Sequence, residues 1–260
     1  MPEQPAQSTP SALDGLDIGQ ATDVGRVREA NEDAMLVEPL DGARTGQLLV
    51  AVADGMGGHK AGEVASALAI ESLRRAVKDV DPTVTADSLL TEAMELGNRT
   101  IWEAAAEDFE KEGMGTTLVA ALVTADGQAM IGNVGDSRAY SVAGGTATLV
   151  TIDHTWVNQQ VSSGHMNEND ARHSPFRNLL TRSLGNTPQV EVDVFSGLEL
   201  APGDALVLVC DGVTGYLDEA DVAAVMGASA TAQAAAERLV AQAVARGGAD
   251  NATAVVVRRR

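Results

Sequence analysis

Apolar and polar residues alternate along this chain in short runs separated by turns rich in Gly, Asn and Asp. The runs with strand character fall at 33–38, 47–53, 116–124, 128–134, 137–142, 147–152, 190–195, 204–210 and 252–257. Ala125-Asp126-Gly127-Gln128 and Ala143-Gly144-Gly145-Thr146 read as hairpin turns between four of them. Between these groups the period lengthens to that of a helix. Residues 62–79 place Val64, Leu68, Ala69, Leu73, Ala76 and Val77 on one face, and residues 86–110 do the same with Leu89, Leu90, Ala93, Met94, Ile101, Ala104 and Ala105. Two more helices are predicted at 219–227 and 231–246, the second stopped by Gly247-Gly248. Strands, two long helices, a run of hairpins, an irregular stretch, more strands, two helices and a last strand are not the regular βα alternation of a parallel sheet. The order predicts an α+β sandwich, antiparallel sheets covered by helices on their outer faces.

Residues 1–17, rich in Pro, Gln, Ser and Ala, have no periodicity and read as a disordered leader, with ordered structure from Ile18 to Arg258 and a tail at 259–260. The polar stretch at about 155–188 stands apart. It carries Arg172, Arg177 and Arg182, offers Thr155 and Asn167 as helix caps, and has the length of a substrate-facing flap. Trp156 at its start reads as an anchor packed on the core.

Charge and cysteine usage narrow the function. A net charge of −19 argues against nucleic acid as a partner, because phosphate repels an acidic surface. The single cysteine, Cys210, sits inside an apolar run and reads as a buried, inert thiol. No basic-then-apolar leader and no membrane-length apolar stretch is present, so the expected location is the cytoplasm.

Four aspartates read as occupying glycine- or asparagine-containing turns after apolar strand-like runs: Asp54 in VADGMGGH, Asp136 in GNVGDSRAY, Asp211 in LVCDGVTG and Asp250 in GGADNATAVV. Carboxylates gathered at sheet edges repel one another by about 4 kcal/mol per pair at 4 Å and an effective dielectric of 20, so protons or cations must neutralise them. An all-oxygen donor set suits Mg²⁺ or Mn²⁺ better than zinc, and the backbone carbonyl of Gly55 can join it. Two such ions bridged by a carboxylate can hold a hydroxide between them. Residues 28–33 add Arg28, Glu32 and Asp33: Arg28 offers a donor fork that matches phosphate oxygens, or a surface ion pair with its acidic neighbours, and Glu32 and Asp33 could enter a metal shell directly or through water.

Together, RxxNED, ADGMGGHxAGE, GTT, GNVGDSRAY, DHT, RNLLTRSLG, CDG and a late DN, in that order over about residues 18–258, resemble the metal-dependent protein phosphatases (PPM, type 2C) in their bacterial branch. The resemblance implies a four-layer sandwich of two antiparallel β-sheets flanked by pairs of α-helices, with an irregular flap near the active site. It implies hydrolysis of phosphoserine and phosphothreonine with two Mn²⁺ or Mg²⁺ ions through a bridging metal hydroxide. By motif, Asp54 matches the bridging carboxylate and Gly55 the carbonyl ligand. Asp211 and Asp250 complete the first metal, Glu32 and Asp33 serve the second through water, Asp136 with Asp211 can hold a third, and Arg28 matches the phosphate-binding arginine. Many relatives carry a histidine directly after the Asp-Gly pair as a proposed general acid. Here that position is Met56, leaving His59 or a metal-bound water for the role. The expected partners are phosphoproteins, such as a serine/threonine kinase and its substrates, met by a monomer. The alternative is a catalytically silent pseudophosphatase that binds phosphoproteins, and a two-metal phosphodiesterase is disfavoured by the missing basic groove.

Overall fold

Eleven strands among the described residues sort into two antiparallel sheets. The computed structural model describes residues 13–57, 61–78, 80–81 and 83–260. The strands are β1 (Leu16–Asp23), β2 (Asp33–Pro39), β3 (Gln47–Met56), β4 (Gly115–Thr116), β5 (Leu118–Thr124), β6 (Gln128–Val134), β7 (Arg138–Ala143), β8 (Thr146–Leu149), β9 (Asp193–Glu199), β10 (Ala205–Val209) and β11 (Ala252–Arg259). The helices are α1 (Ala61–Ala76), α2 (Ala86–Glu107), α3 (Trp156–Ser162), α4 (Glu168–His173), α5 (Asp211–Thr214), α6 (Glu219–Gly227) and α7 (Ala232–Arg246). One sheet has the order β1-β11-β10-β7-β8, the other β2-β3-β5-β6-β9 with β4 added to β3. Helices α1 and α2 cover the second sheet, α6 and α7 the first. The molecule is the expected α+β sandwich, four layers deep.

The period of two decides which core each side chain joins. Along β3, Leu48, Val50 and Val52 enter the core shared with the other sheet, while Leu49, Ala51 and Ala53 pack beneath α1 and α2. On β5, Val119, Ala121 and Val123 take the first direction, Leu118, Ala120 and Leu122 the second. With helices on one face and a sheet on the other, these strands have no polar side. That is why they read as continuous apolar runs.

Two differences from the sequence reading have clear causes. β1 was not among the expected strands, because it is an edge strand with only Leu16 and Gly19 buried and so carries little apolar signal. Its stability comes from pairing along its whole length with β11, from Leu16↔Arg259 to Asp23↔Ala252, and from α7 lying across it at Gly19. β11 also runs on through Arg259. Arg258 donates to the carbonyls of Met226 and Ser229, and Arg259 to that of Leu200, so these cations cap helix and turn ends. Residues 1–12 and His59 lie outside the described residues. Among the described residues no helix is long and apolar enough to cross a membrane.

The stretch between β8 and β9 holds α3 and α4, capped as expected by Thr155, which accepts from the Asn158 amide, and Asn167, which accepts from the Asp170 amide. Trp156 stands edge-on to Phe176, ring centroids 5.6 Å apart, and its amide donates to the Leu179 carbonyl, so it anchors the two arms of this segment to each other.

Candidate metal centre

The carboxylates singled out from the sequence converge, because antiparallel pairing sets the start of one strand beside the end of the next. Asp54 near the end of β3 lies directly opposite Asp33 at the start of β2. Asp211 follows β10 and Asp250 precedes β11, and those strands are paired. Asp250 therefore does not follow an apolar strand, as the run of four aspartates suggested. It enters the site from the opposite chain direction. Asp136 lies in the turn between β6 and β7.

The Asp54 backbone is clamped from one side. Its amide donates to Thr117 Oγ1 at 3.0 Å, and its carbonyl accepts from Thr116 Oγ1 at 2.8 Å and the Thr117 amide at 2.9 Å. Thr117 Oγ1 also meets Ser137 Oγ at 2.7 Å, which links the Asp54 and Asp136 segments. The Gly55 amide donates to the Glu32 carbonyl, and a side chain at Gly55 would overlap the carbonyls of Glu32 and Gly62. Glu32 lies over the first turn of α1: a methyl at Gly62 would come within 2.7 Å of its Oε2. Donor atoms of Asp33, Asp54 and the buried Cys210 lie within 4.8 Å of one another.

The electrostatics match the crowding. Burial, then the neighbouring charges of Asp33, Asp211 and Asp136, hold the Asp54 carboxyl well above the usual carboxylate range, and it shares a hydrogen bond with Asp211. Burial pushes Asp33 up to about 7 against hydrogen bonds from Thr253 and Cys210, and pushes Asp136 up to about 8 with help from Asp211 and Asp153. Asp211 and Glu32 are raised by burial as well, and Arg28 opposes both shifts. Burial pushes the Cys210 thiol up too, as expected of an inert cysteine.

Arg28 stands at the rim, its side chain 49 % exposed, and donates to Asp250 Oδ2 at 2.7 Å. A cavity of about 720 Å³ opens from Asp136, Asp211 and Asp250 toward the α3–α4 segment, which contributes Asn158, Arg172 and Arg177 to its wall. The polar stretch noticed in the sequence thus faces the carboxylates.

Several residues that hold this geometry escaped the sequence reading. Asn251 was noted only as the partner of Asp250 in a turn. Its Oδ1 accepts from the Glu32 amide and its Nδ2 donates to the carbonyls of Val24 and Ala30, tying the Arg28 loop to β11. His154 Nδ1 accepts from the Gly135 amide at 3.0 Å, so its Nε2 carries the proton and donates to Asp193, bracing the Asp136 turn. The visible sign was the motif DHT itself. Nothing in composition distinguishes a bracing histidine from a reactive one.

Gly212 marks the closest approach. A Cβ there would overlap the Asn251 carbonyl oxygen, so the Asp211 and Asp250 segments pack backbone to backbone. Gly212→Ala is expected to lower the melting temperature by about 5 °C or more, from about 2 kcal/mol of overpacking. Thermal unfolding checks it, and an unchanged transition would mean that the two segments separate freely.

A cation fits this donor set. The donors are carboxylates with a neighbouring carbonyl, and Asp33 Oδ1 is a buried oxygen with no hydrogen-bond partner. A model of the protein phosphatase 2C family matches residues 25–246. The serine/threonine phosphatase stp of Listeria innocua is 37% identical over 242 residues, covering 92% of this chain and 94% of its own. The S. agalactiae serine/threonine phosphatase superposes with a TM-score of 0.87 at 34% identity, over 94% of this chain and 100% of that one. The catalytic domain of the phosphatase PstP, solved with two manganese ions, does so with a TM-score of 0.77 at 31% identity, over 94% and 97%.

Proposed function

The chain belongs to the protein phosphatase 2C family, a metal-dependent serine/threonine phosphatase, and on that premise we propose how its residues divide the work. Asp54 would serve both of two Mn²⁺ or Mg²⁺ ions, and the Gly55 carbonyl would be a further ligand. Asp211 and Asp250 would complete the shell of the first. Glu32 and Asp33 would serve the second, partly through water. Asp136, with Asp211, would take a third ion. The observation that carries this reading is the convergence of Asp33 and Asp54 from one sheet with Asp211 from the other and Asp136 from the turn between them, where burial and mutual repulsion raise the carboxyls and a cation would relieve them. When bound, the ions supply Lewis-acid stabilisation of phosphoryl charge and lower the pKa of water in their shell.

The chain's own residues do the rest. Arg28 grips the phosphoryl group from the rim, and Asp250 orients its guanidinium beforehand. Met56 lies in β3, where it pairs with Gly115. The cavity beside Asp211 accommodates the peptide around the phosphorylated residue, with the α3–α4 segment as one of its walls. Substrates of this class are phosphorylated proteins, such as a serine/threonine kinase and its targets, met in the cytoplasm by a monomer.

The test of the site is metal-dependent release of phosphate from a phosphothreonine peptide, abolished by chelator and restored by Mn²⁺. Within it, Arg28→Ala is expected to lower kcat/KM by about 10–100-fold, the worth of a charge-assisted pair. Competitive inhibition by inorganic phosphate should weaken in parallel. Unchanged phosphate inhibition would confine Arg28 to holding Asp250.

A further inference from the structure

Asp33 is held by a chain of hydrogen bonds whose direction can be worked out atom by atom. Thr22 and Thr253 face each other across β1 and β11, their hydroxyls 2.7 Å apart. Thr253 Oγ1 lies 2.6 Å from Asp33 Oδ2. In its ionised, cation-binding form Asp33 only accepts, so the single Thr253 hydroxyl proton then points to Asp33, and Thr22 donates to Thr253. Thr22 in turn accepts from Asn31 Nδ2 at 2.8 Å. The amide of Asn31 is itself oriented, because its Oδ1 accepts from the Asp33 backbone amide at 3.1 Å. The loop is closed: it leaves Asp33 at its amide and returns to Asp33 at Oδ2. Cys210 Sγ, 3.3 Å from the same oxygen, adds a weaker donor and accepts from the Thr253 amide at 3.1 Å. Thr253 is fully buried, so water cannot substitute for its bond to Asp33, whereas Thr22 is exposed and Asn31 half-buried. All the donors converge on Oδ2, and Oδ1, equally buried, has none.

We propose that Thr253 is a positioning residue, the last donor of an Asn31–Thr22–Thr253 relay that locks one oxygen of Asp33 and leaves the other available to a divalent cation. The relay sets the rotamer of Asp33 and fixes which oxygen the cation meets. It also disperses negative charge from the oxygen that does not face the cation, in the manner of groups that support metal ligands from behind. This rests on the placement of Asp33 in the metal shell, and the experiment separates the two.

The full chain, stripped of metal by chelator and dialysed, is titrated with Mn²⁺ while free Mn²⁺ is counted by electron paramagnetic resonance. Thr253→Val keeps the shape and removes the donor, and is expected to weaken Mn²⁺ binding by about tenfold or more. Thr253→Ser keeps the hydroxyl and is expected to bind within about twofold of the parent. Thr22→Val, which breaks the relay one step upstream, should weaken binding in the same sense by a smaller factor. Parent-like binding by Thr253→Val, with loss in Asp33→Asn, would overturn the positioning role. So would equal weakening in the Val and Ser variants, which would make Thr253 a packing residue. Parent-like binding by Asp33→Asn would instead remove Asp33 from the shell. Thermal unfolding in chelator confirms that each variant is folded before titration.

Discussion

Replacing Asp54 by asparagine is expected to lower kcat/KM on a phosphothreonine peptide by about a thousandfold or more, and at the same time to raise the melting temperature of the metal-free protein. The first effect follows from its position. Asp54 is the carboxylate that Asp33, Asp211 and Asp136 all press against, and cations held there, as proposed, would provide several kcal/mol of charge stabilisation, each 1.36 kcal/mol being about tenfold in rate. The second follows from the cost of that crowding. An asparagine keeps the shape and the backbone clamp from Thr116 and Thr117 but carries no charge to bury. Loss of function with gain of stability is the signature of a residue kept for chemistry. Steady-state rates at saturating Mn²⁺ and unfolding curves in chelator give both numbers. Activity close to the parent's would sink the role of Asp54. A lowered melting temperature would show that its carboxyl contributes to the fold.

How much of this could be read from the sequence depended on the range of the interaction involved. Strands buried on both faces, such as β3 and β10, were legible because their apolar runs are local. Edge strand β1 was not, since what holds it is β11, more than two hundred residues away. The site divides the same way. Asp54, Asp136, Asp211 and Asp250 stood out because aspartates recur in turns next to apolar runs, each one alone being common, and Asp33 and Arg28 because they are compressed into one motif. The threonines and Asn251 did not. Thr22 and Thr253 are ordinary strand residues until antiparallel register sets them opposite each other, and Asn251 is an ordinary turn residue until its amide reaches Val24 and Ala30. The pairing of Arg28 with Asp250 is a compromise between the two sequence readings of that arginine. It does form an ion pair, but with a carboxylate of the site across the cleft and not with its acidic neighbours in the motif.

In chelator, the stability of this protein is expected to fall as pH rises from about 5 to about 8.5, the reverse of ordinary acid denaturation. Asp33, at about 7, and Asp136, at about 8, both have folded pKa values above the 3.8 of a free aspartate, and Asp54 is raised as well. A carboxyl raised in the folded state keeps its proton while the unfolded chain has already lost it. Its contribution is complete below about pH 4 and disappears as pH passes through the folded value. Each such proton is worth about 1.4 kcal/mol per pH unit inside that window. Asp33 over about two of those units and Asp136 over about three give a decline on the order of 7 kcal/mol and a melting-temperature fall on the order of 20 °C, to which Asp54 adds in the same sense. Asp193 and Asp221, lowered chiefly by Arg182 and Arg246, act in the opposite sense only near and below pH 4, while His154, lowered chiefly by burial, opposes the decline in the part of the window below its ordinary value of 6.5. Mn²⁺ should reverse the trend. The ion displaces the same protons, so its stabilisation, about 2.7 kcal/mol at a hundredfold excess over Kd, is joined by relief of repulsion that grows with pH. Melting curves in chelator and in Mn²⁺ across that range are the measurement, with proton release on Mn²⁺ addition to an unbuffered sample at pH 7 as an independent check. A chelated protein whose melting temperature rises or stays level from pH 5 to 8.5 would mean that the carboxylates are not crowded in solution. The cation would then be bound by a site it has to assemble. A decline that Mn²⁺ abolishes would mean that the fold holds the carboxylates together against their own repulsion, which protons relieve at low pH and the cation relieves once it displaces them.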